Sequence, residues 1–342
     1  MVAVGDRGKR NWRVFGQGAL AVLLLLAVLA ACGRFSSQTV PPQDPLLQEG
    51  HVIRMGFSQV ETDNPWRTAQ LNSFRDAALA VDLELLYHEP EEYTVEWQIN
   101  DIYQLIAEGA DYLVIAPKEL APLLECLKAA KEAQVPVILI HQTGEGVPRE
   151  YYTSLIFADY VKEGELCARM LAEAYQGKTC NIVEIRGFAN SPMAKARSLG
   201  FRKELSQYPN LNVVYTENGN FNRVTAQKAM ENVLIKSQGS VSINAVFAHS
   251  DEDGLGALHA IKAAGRDPDE FSIVSINGIQ DVCKAIIADE YLGTVESNPR
   301  WGPIAVTLIR QMERNATPFP NVVIPYRIIN KENVLERFSS AY

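Results

Sequence analysis

The chain has 342 residues, which is enough for two lobes of ordinary domain size. Hydrophobic residues make up 47% of it and charged residues 21%, as in an ordinary globular protein. Because the net charge is −9 and no basic patch is present, the composition argues against binding to phosphate backbones, and we expect no nucleic-acid partner.

The N-terminus has the pattern of an export signal. Basic residues at positions 7–13 precede the apolar run Ala19–Ala31, which is too short to span a bilayer comfortably. The run ends in Leu-Ala-Ala-Cys32, which resembles the bacterial lipobox. That resemblance implies a signal peptide over 1–31, lipid on Cys32, and a location in the periplasm or at the outer face of the cell membrane. An uncleaved signal anchor is the alternative. The polar, proline-bearing stretch 32–50 predicts a flexible tether.

From His51 the chain alternates strands and helices, which indicates an α/β fold with parallel sheets and right-handed crossovers. Nine or ten strands could form one sheet, but the length and internal repetition favour two similar lobes. We expect the first passage between them at Gly144–Tyr152. The predicted strands and helices follow in chain order: strand 52–57, helix from Pro65, strand Glu84–Tyr87, helix Thr94–Glu108, strand Tyr112–Ala116, helix Leu120–Ala133, strand Val137–Ile140, helix Val161–Tyr175, strand Asn181–Ile185, helix Met193–Ser206, strand Val213–Tyr215, helix Thr225–Ile235, strand Ala245–Ala248, helix Gly254–Ala264, strand Ser272–Ile276 and helix Asp281–Ala288.

Four cysteines remain after Cys32, and each lies in or beside an apolar segment: Cys126, Cys167, Cys180 and Cys283. None forms a C-x-x-C pair and no histidine stands at zinc spacing, so we expect buried free thiols and no metal. An exported compartment would permit disulfides, and the sequence cannot choose a connectivity.

The stretch Val52–Ala78 predicts a strand, a polar loop and an amphipathic helix, the first half of a βαβ unit. Asn64 is a good N-cap and Pro65 suits the first helical position. Trp66 and Arg67 place an aromatic ring beside hydrogen-bond donors at the edge where open α/β sheets bind ligands. Such a pair suits a sugar, which has one face of C–H groups. The alternative is that Trp66 belongs to the core.

Nearly all of the chain from His51 onward resembles the type I periplasmic sugar-binding proteins of the ribose, galactose and galactofuranose transporters, above all the galactofuranose-binding branch. The matching segments occur in family order: GFSQVETDNPWRTAQ, EGADYLVIAP, EAQVPVILI, CNIVEIRG with AKARSLGF, NGNFNRVTAQKAMENVL, VFAHSDEDGLGALHAIKAAG, VSINGIQDVCKAIIADE and VESNPRWGP. The resemblance implies two Rossmann-like lobes joined by three hinge crossovers, with 51–155 plus 297–318 in the N-terminal lobe and 156–296 plus 319–342 in the C-terminal lobe.

The resemblance also implies a sugar-binding site between the lobes, with Trp66 stacking on the ring and Arg197 pairing with Asp159. It further implies delivery of the sugar by a monomer to an ABC permease with its ATPase subunits, without a cofactor. The expected ligand-binding residues are Asn64, Trp66, Arg67, Glu119, Gln142, Asp159, Arg197, Phe221, Arg223, Ser250, Asp251, Asn277 and Asn298.

The chain departs from the family pattern at three of these positions. His141-Gln142 stands in place of Asp-Arg, Ser250-Asp251 in place of Asn-Asp, and Asn277-Gly278 in place of Asp-Gly. Two charged ligand positions thereby become neutral amides, and a third becomes smaller. Three arginines against fewer carboxylates give the hypothesis of an acidic or otherwise modified sugar.

Other functions are less consistent with the sequence. The chain lacks the motifs of serine hydrolases, zinc proteases, phosphate loops and a complete G-x-G-x-x-G, so we expect no enzyme. His249, Asp251 and Asp253 could face one cation, but capping of a helix is the more ordinary role. A lac-type repressor would need a helix-turn-helix where residues 1–50 hold a signal and tether. A receptor that presents sugar to a sensor kinase or chemoreceptor stays open.

Overall fold

The computed structural model describes residues 51–62, 64–141 and 144–342. The predicted signal peptide, the tether with Cys32, and Gln142 therefore lie outside the described residues. Val52–Tyr342 forms one compact unit. Among the residues described, no helix combines the length and the apolar character needed to cross a membrane.

Strands and helices alternate along the described part of the chain. The strands are β1 Arg54–Gln59, β2 Glu84–Leu86, β3 Tyr112–Ala116, β4 Val137–Ile140, β5 Ser154–Phe157, β6 Cys180–Arg186, β7 Leu211–Asn218, β8 Ala245–Ala248, β9 Ser272–Asn277, β10 Gly293–Glu296, β11 Asn321–Val323 and β12 Arg327–Asn330. The α-helices are α1 Pro65–Leu79, α2 Val95–Ala107, α3 Leu124–Glu132, α4 Tyr160–Tyr175, α5 Pro192–Leu205, α6 Arg223–Ser237, α7 Asp251–Ala263, α8 Gln280–Ile287, α9 Gly302–Glu313 and α10 Val334–Arg337.

The strands form two six-stranded sheets, which confirms the predicted α/β class with two largely parallel sheets. The first has the order β11-β5-β4-β3-β1-β2 and the second the order β12-β10-β9-β8-β6-β7. All described pairings are parallel except that of β10 with β12. We call the first sheet with its helices α1–α3 and α9 lobe 1, and the second sheet with α4–α8 and α10 lobe 2. The chain passes between the sheets three times: after β5, after β10 and after β11.

Two predicted boundaries differ from the structure. Ser154–Phe157 pairs with β4, so the chain leaves the first sheet after Phe157 and not within Gly144–Tyr152. Asn321–Val323 pairs with β5 in the first sheet, although the sequence analysis placed 319–342 in the C-terminal lobe. Both strands are short and lie next to a crossover, where local pattern does not distinguish one sheet from the other.

Each sheet is buried on both faces, as parallel sheets with flanking helices are. In lobe 1 Phe57 stacks on Phe74 with ring centroids 4.3 Å apart, and in lobe 2 Phe201 stacks on Phe247 at 3.9 Å. The four described cysteines are buried free thiols. The carboxyl ends of the parallel strands carry the polar side chains considered next.

Candidate functional site

The start of helix α1 is tied to the second crossover. Asn64 caps the helix, since its side-chain oxygen accepts the backbone N–H of Arg67 at 2.9 Å. The indole N–H of Trp66 donates to the carbonyl of Ser297, directly after β10, at 2.7 Å. The ring of Trp66 also meets Trp301 edge-on at 5.8 Å. Trp66 is thus half-buried and contacts the core, but it lies where the chain crosses between the sheets.

His141, directly after β4, joins residues of both lobes. Its Nε2 lies 2.9 Å from the side-chain oxygen of Gln70, and its Nδ1 lies 3.2 Å from the hydroxyl of Tyr160 at the start of α4. The guanidinium of Arg67 also donates to the oxygen of Gln70, so that oxygen is an acceptor and His141 Nε2 carries a proton. Burial, assisted by the charge of Arg67, lowers the pKa of His141 well below its ordinary value. His141 is therefore neutral and accepts the Tyr160 hydroxyl proton at Nδ1.

Arg197, predicted to pair with Asp159, pairs instead with Glu163. Its side chain is 2% exposed, its Nε donates to Glu163 at 2.8 Å, and its Nη1 donates to the backbone carbonyl of His249 at 2.7 Å. Asp159 is exposed and caps α4 by accepting the backbone N–H of Lys162. The predicted Arg197–Asp159 pair was wrong because Asp159 lies at the cap, while Glu163 lies on the buried face of the helix.

Close packing of α4 against α5 brings Glu163 to Arg197. A Cβ on Gly200 would lie 1.8 Å from the backbone oxygen of Val161, and a Cβ on Gly164 would lie 2.1 Å from that of Arg197. Only glycine permits this approach. The two helices therefore fix the guanidinium of Arg197 below Tyr160, whose ring centroid lies 5.5 Å away.

A second buried carboxylate lies behind Arg197. Glu184 of β6 accepts from His249 Nε2 at 3.2 Å and also from Ser198 and Arg202. Burial raises the pKa of Glu184, but these hydrogen bonds and the charge of Arg202 lower it to about 2. Burial lowers the pKa of His249. We therefore assign an ionised Glu184 and a neutral His249 that donates from Nε2.

The loops after β6 and β7 place an aromatic pair at the edge of lobe 2. Asn220 and Phe221 both have left-handed backbones, with φ values of 59° and 55°. The ring of Phe221 covers Gly187, where a Cβ would lie 1.9 Å from it, and meets Phe188 edge-on at 5.7 Å. Phe188 is 54% exposed, so this pair offers an apolar surface to solvent.

Three predicted site arginines have carboxylate partners within the protein. Arg223 donates to both oxygens of Glu252, at 2.8 and 2.9 Å, and to Asp281 at 3.3 Å. Arg67 lies 3.4 Å from Glu61, and Arg197 is bound by Glu163. The hypothesis of an acidic sugar assumed that these arginines lack carboxylate partners. Because nearby carboxylates of the protein neutralise all three, the geometry does not support that hypothesis.

Several other predicted ligand residues build the protein's own turns. Asp251 is fully buried and accepts from the hydroxyls of Ser275 and Thr294 and from two backbone N–H groups, at 278 and 279. Ser250 caps α7, and Asn298 accepts the backbone N–H of residue 300. Asn277 ends β9 with φ 145°, and Glu119 is exposed after β3. Asp251 in particular has its acceptor capacity filled by the protein.

Nine buried side-chain polar atoms lack a hydrogen-bond partner among the described residues: four on Tyr87, Asp101, Asp253 and Tyr291, and five in or near the predicted site. Of these five, two belong to lobe 1: Gln59 Oε1, at the end of β1, and Gln70 Nε2, beside His141. Three belong to lobe 2 or its edge: Arg186 Nε, at the end of β6; His249 Nδ1, after β8; and the hydroxyl of Tyr342. Buried polar groups are almost always paired, so a concentration of unpaired ones indicates a site for a polar ligand or water. The described residues contain no His, Cys, Asp or Glu group suited to hold a metal.

Three residues of the site were not predicted from the sequence: Glu163, Gln70 and Tyr160. Glu163 could have been found because it is a carboxylate beside Gly164 on the buried face of α4, where charged residues are rare unless they are paired. Gln70 lies one helical turn after Trp66, on the same face of α1. His141 was singled out only as a departure from the family pattern.

Comparison with known proteins agrees with this geometry. The sequence model of the family described as periplasmic binding protein domain matches residues 55–316. The chain belongs to this family. The galactofuranose-binding protein YtfQ of Escherichia coli K12 is 29% identical, over 78% of this chain and 83% of that protein. The ribose import binding protein RbsB of Bacillus subtilis is 28% identical, over 82% of this chain and 88% of that protein.

Two solved structures show the same architecture. A galactofuranose binding protein has a TM-score of 0.78 and 27% identity, over 84% of this chain and 98% of that chain. The periplasmic binding protein component of the arabinose ABC transporter of Shewanella sp. ANA-3, bound to α- and β-L-arabinofuranose, has a TM-score of 0.78 and 28% identity, over 84% of this chain and 95% of that chain. These relatives of the periplasmic binding protein family are binding proteins.

Proposed function

We propose that this protein captures a sugar between its two lobes outside the cytoplasm and delivers it to the permease of an ABC transporter. Family membership and the sugar-binding relatives support the ligand class. Two of the similar proteins bind furanose sugars by name, so we propose a neutral furanose as the ligand. The local carboxylate partners of Arg67, Arg197 and Arg223 are consistent with a neutral ligand.

The observation that carries the proposal is the set of unpaired buried polar atoms at or near the carboxyl ends of strands in both sheets, such as those of Gln59, Arg186 and His249. Hydroxyl groups of a sugar both donate and accept, so a single sugar can pair with acceptors such as Gln59 Oε1 and with donors such as Arg186 Nε. Described partners use three of the five guanidinium N–H groups of Arg197, which leaves two for the ligand. An indole face at Trp66 and an aromatic edge at Phe221 suit the C–H face of the ring.

We further propose that the two lobes move as separate domains about the three crossovers. The Tyr160–His141 and Trp66–Ser297 contacts join the lobes at the crossovers and limit the motion to a hinge. Ligand that contacts both lobes favours the closed form over the open one. The closed, loaded protein is then the form recognised by the permease and its ATPase subunits.

The N-terminal pattern completes the proposal. Removal of 1–31 and lipid attachment to Cys32 would anchor the protein at the outer face of the membrane, with 32–50 as a tether. No catalytic step is part of this function, and we propose a monomer without enzymatic activity.

Trp66 provides the test. We expect Trp66→Ala to weaken binding of the tightest sugar in a panel of D-galactose, L-arabinose, D-ribose and D-fucose by about tenfold or more, because it removes the aromatic face. Leu79→Ala, at the exposed far end of the same helix, is the matched control. Isothermal titration calorimetry measures both. Equal affinities for the two variants would place the sugar elsewhere.

A further inference from the structure

The segment that ends at Tyr342 is held against the junction of the lobes. A 3₁₀ turn, Phe338–Ser340, precedes it. Arg300, in the second crossover, donates to the carbonyl of Ser340 at 2.6 Å. Gln280, at the start of α8, donates from its backbone to the carbonyl of Tyr342 at 3.1 Å and from its side chain to that of Ala341 at 3.3 Å. These three bonds fix the position of Tyr342 relative to the crossover and to lobe 2.

The side chain of Tyr342 faces both lobes. Its ring packs against the core of lobe 2, and it lines an open surface depression together with Asn64, Pro65 and Thr68 at the start of α1 in lobe 1. Burial raises the pKa of its hydroxyl well above the ordinary value; the charge of Asp251 adds to this and that of Arg197 opposes it.

The hydroxyl itself is buried and has no hydrogen-bond partner among the described residues. Packing against the core needs only the ring, which phenylalanine would supply equally well. A buried phenol that lacks a partner is unfavourable, whereas one that gains a partner in the bound state adds selectivity for that partner. Its place beside Asn64, at the start of α1, puts it next to a residue expected to bind the sugar.

We infer that Tyr342 is a specificity-determining residue of the sugar site, and that its hydroxyl hydrogen-bonds one particular hydroxyl of the bound sugar. This inference rests on the proposed function and adds a residue from outside the strand-end loops. Arg300 and Gln280 act as positioning residues, because they hold the backbone of the segment and not the ligand.

The experiment compares Tyr342→Phe with the unaltered protein, both as the full chain purified in detergent. Calorimetry measures the dissociation constants of the tightest sugar in the panel above and of its singly deoxygenated analogues. We expect Tyr342→Phe to weaken the parent sugar roughly three- to tenfold, the effect of one neutral hydrogen bond. We expect it to leave unchanged the affinity for the one analogue that lacks the contacted hydroxyl.

Tyr103→Phe is the matched control, since Tyr103 is exposed on helix α2, and it should leave every constant within twofold. Unchanged affinity of Tyr342→Phe for all sugars, or an equal loss for every analogue, would overturn the inference while leaving the proposed function intact. Failure of the unaltered protein to bind any sugar would overturn the proposed function and this inference with it.

Discussion

Replacement of Arg197 by methionine separates its structural role from its role in binding. The variant removes a buried cation that pairs with Glu163, whose side chain is 1% exposed. Glu163 is then left as an uncompensated buried charge, which costs about 3–5 kcal/mol of unfolding free energy in comparable cases. At an unfolding entropy of about 2.1 cal/mol/K per residue, a folded part of roughly 290 residues loses about 1.6 °C per kcal/mol, so the melting temperature should fall by roughly 5–8 °C.

The double variant Arg197→Met with Glu163→Met should recover most of that stability. Replacing both members of a buried ion pair by apolar side chains of similar volume is often neutral or stabilising. The remaining loss is the hydrogen bond to the carbonyl of His249, about 1 kcal/mol. Sugar binding should not return, because the two N–H groups proposed to contact the ligand are absent.

Urea unfolding and calorimetry on the two variants test this reasoning. The expected result is a stable double variant that does not bind sugar and an unstable single variant that does not bind it either. If the single variant were as stable as the double variant, Glu163 would not depend on Arg197. If the double variant bound sugar normally, Arg197 would not contact the ligand.

Three further predictions concern packing, pH and the turn after β9. Gly200→Ala should cost about 1–3 kcal/mol in urea unfolding and weaken sugar binding in calorimetry, because its Cβ would lie 1.8 Å from the oxygen of Val161. Below about pH 6.5 the free energy of unfolding should decrease by up to ~1.4 kcal/mol per pH unit for each of His141 and His249. The fold lowers the pKa of both histidines, so the unfolded chain binds more protons than the folded one. Urea midpoints at several pH values measure this. Asp251→Asn should lower unfolding free energy by about 1–3 kcal/mol, because an amide NH₂ would face hydrogen-bond donors, while the folded variant still binds sugar in calorimetry.

The packing and pH predictions each have a control variant, and the third has an outcome that would contradict it. Leu199→Ala, exposed beside Gly200 on α5, should leave stability within about 0.5 kcal/mol. His259→Gln, exposed on α7, should leave the pH dependence unchanged, whereas replacement of both buried histidines by glutamine should flatten it. A stable Asp251→Asn protein without sugar binding would return Asp251 to the ligand set.

Local pattern was sufficient for eight of the twelve strands of the described residues and for most of their helices. Three apolar runs are strands with the predicted bounds: Tyr112–Ala116, Val137–Ile140 and Ala245–Ala248. Strands that are covered on both faces consist almost entirely of apolar residues, so their bounds are visible in the sequence. β5, β10, β11 and β12 were not predicted from pattern, since each has only three or four residues and its place depends on strands elsewhere in the sequence.

The site was less predictable because the partner of a charged residue is decided in three dimensions. Asp159 and Glu163 are one helical turn apart in the sequence, yet only Glu163 points into the packed face of α4 that meets Arg197. Asp251 resembles a ligand residue in the sequence, but its carboxylate accepts a hydrogen bond from the backbone N–H of Gly278 in the turn after β9. Tyr342 lies 44 residues after Asn298, the last of the predicted ligand residues, so no local signal connects it with them.

The most direct test of sugar capture is a thermal-shift panel on the purified protein with aldoses, furanosides, sugar acids and polyols. A ligand present at a hundred times its dissociation constant adds about 2.7 kcal/mol, which should raise the melting temperature by several degrees. We predict a stereospecific shift with one neutral sugar that forms a furanose ring. Absence of a shift with every sugar, together with a shift caused by some other small molecule, would contradict sugar capture and leave only the fold.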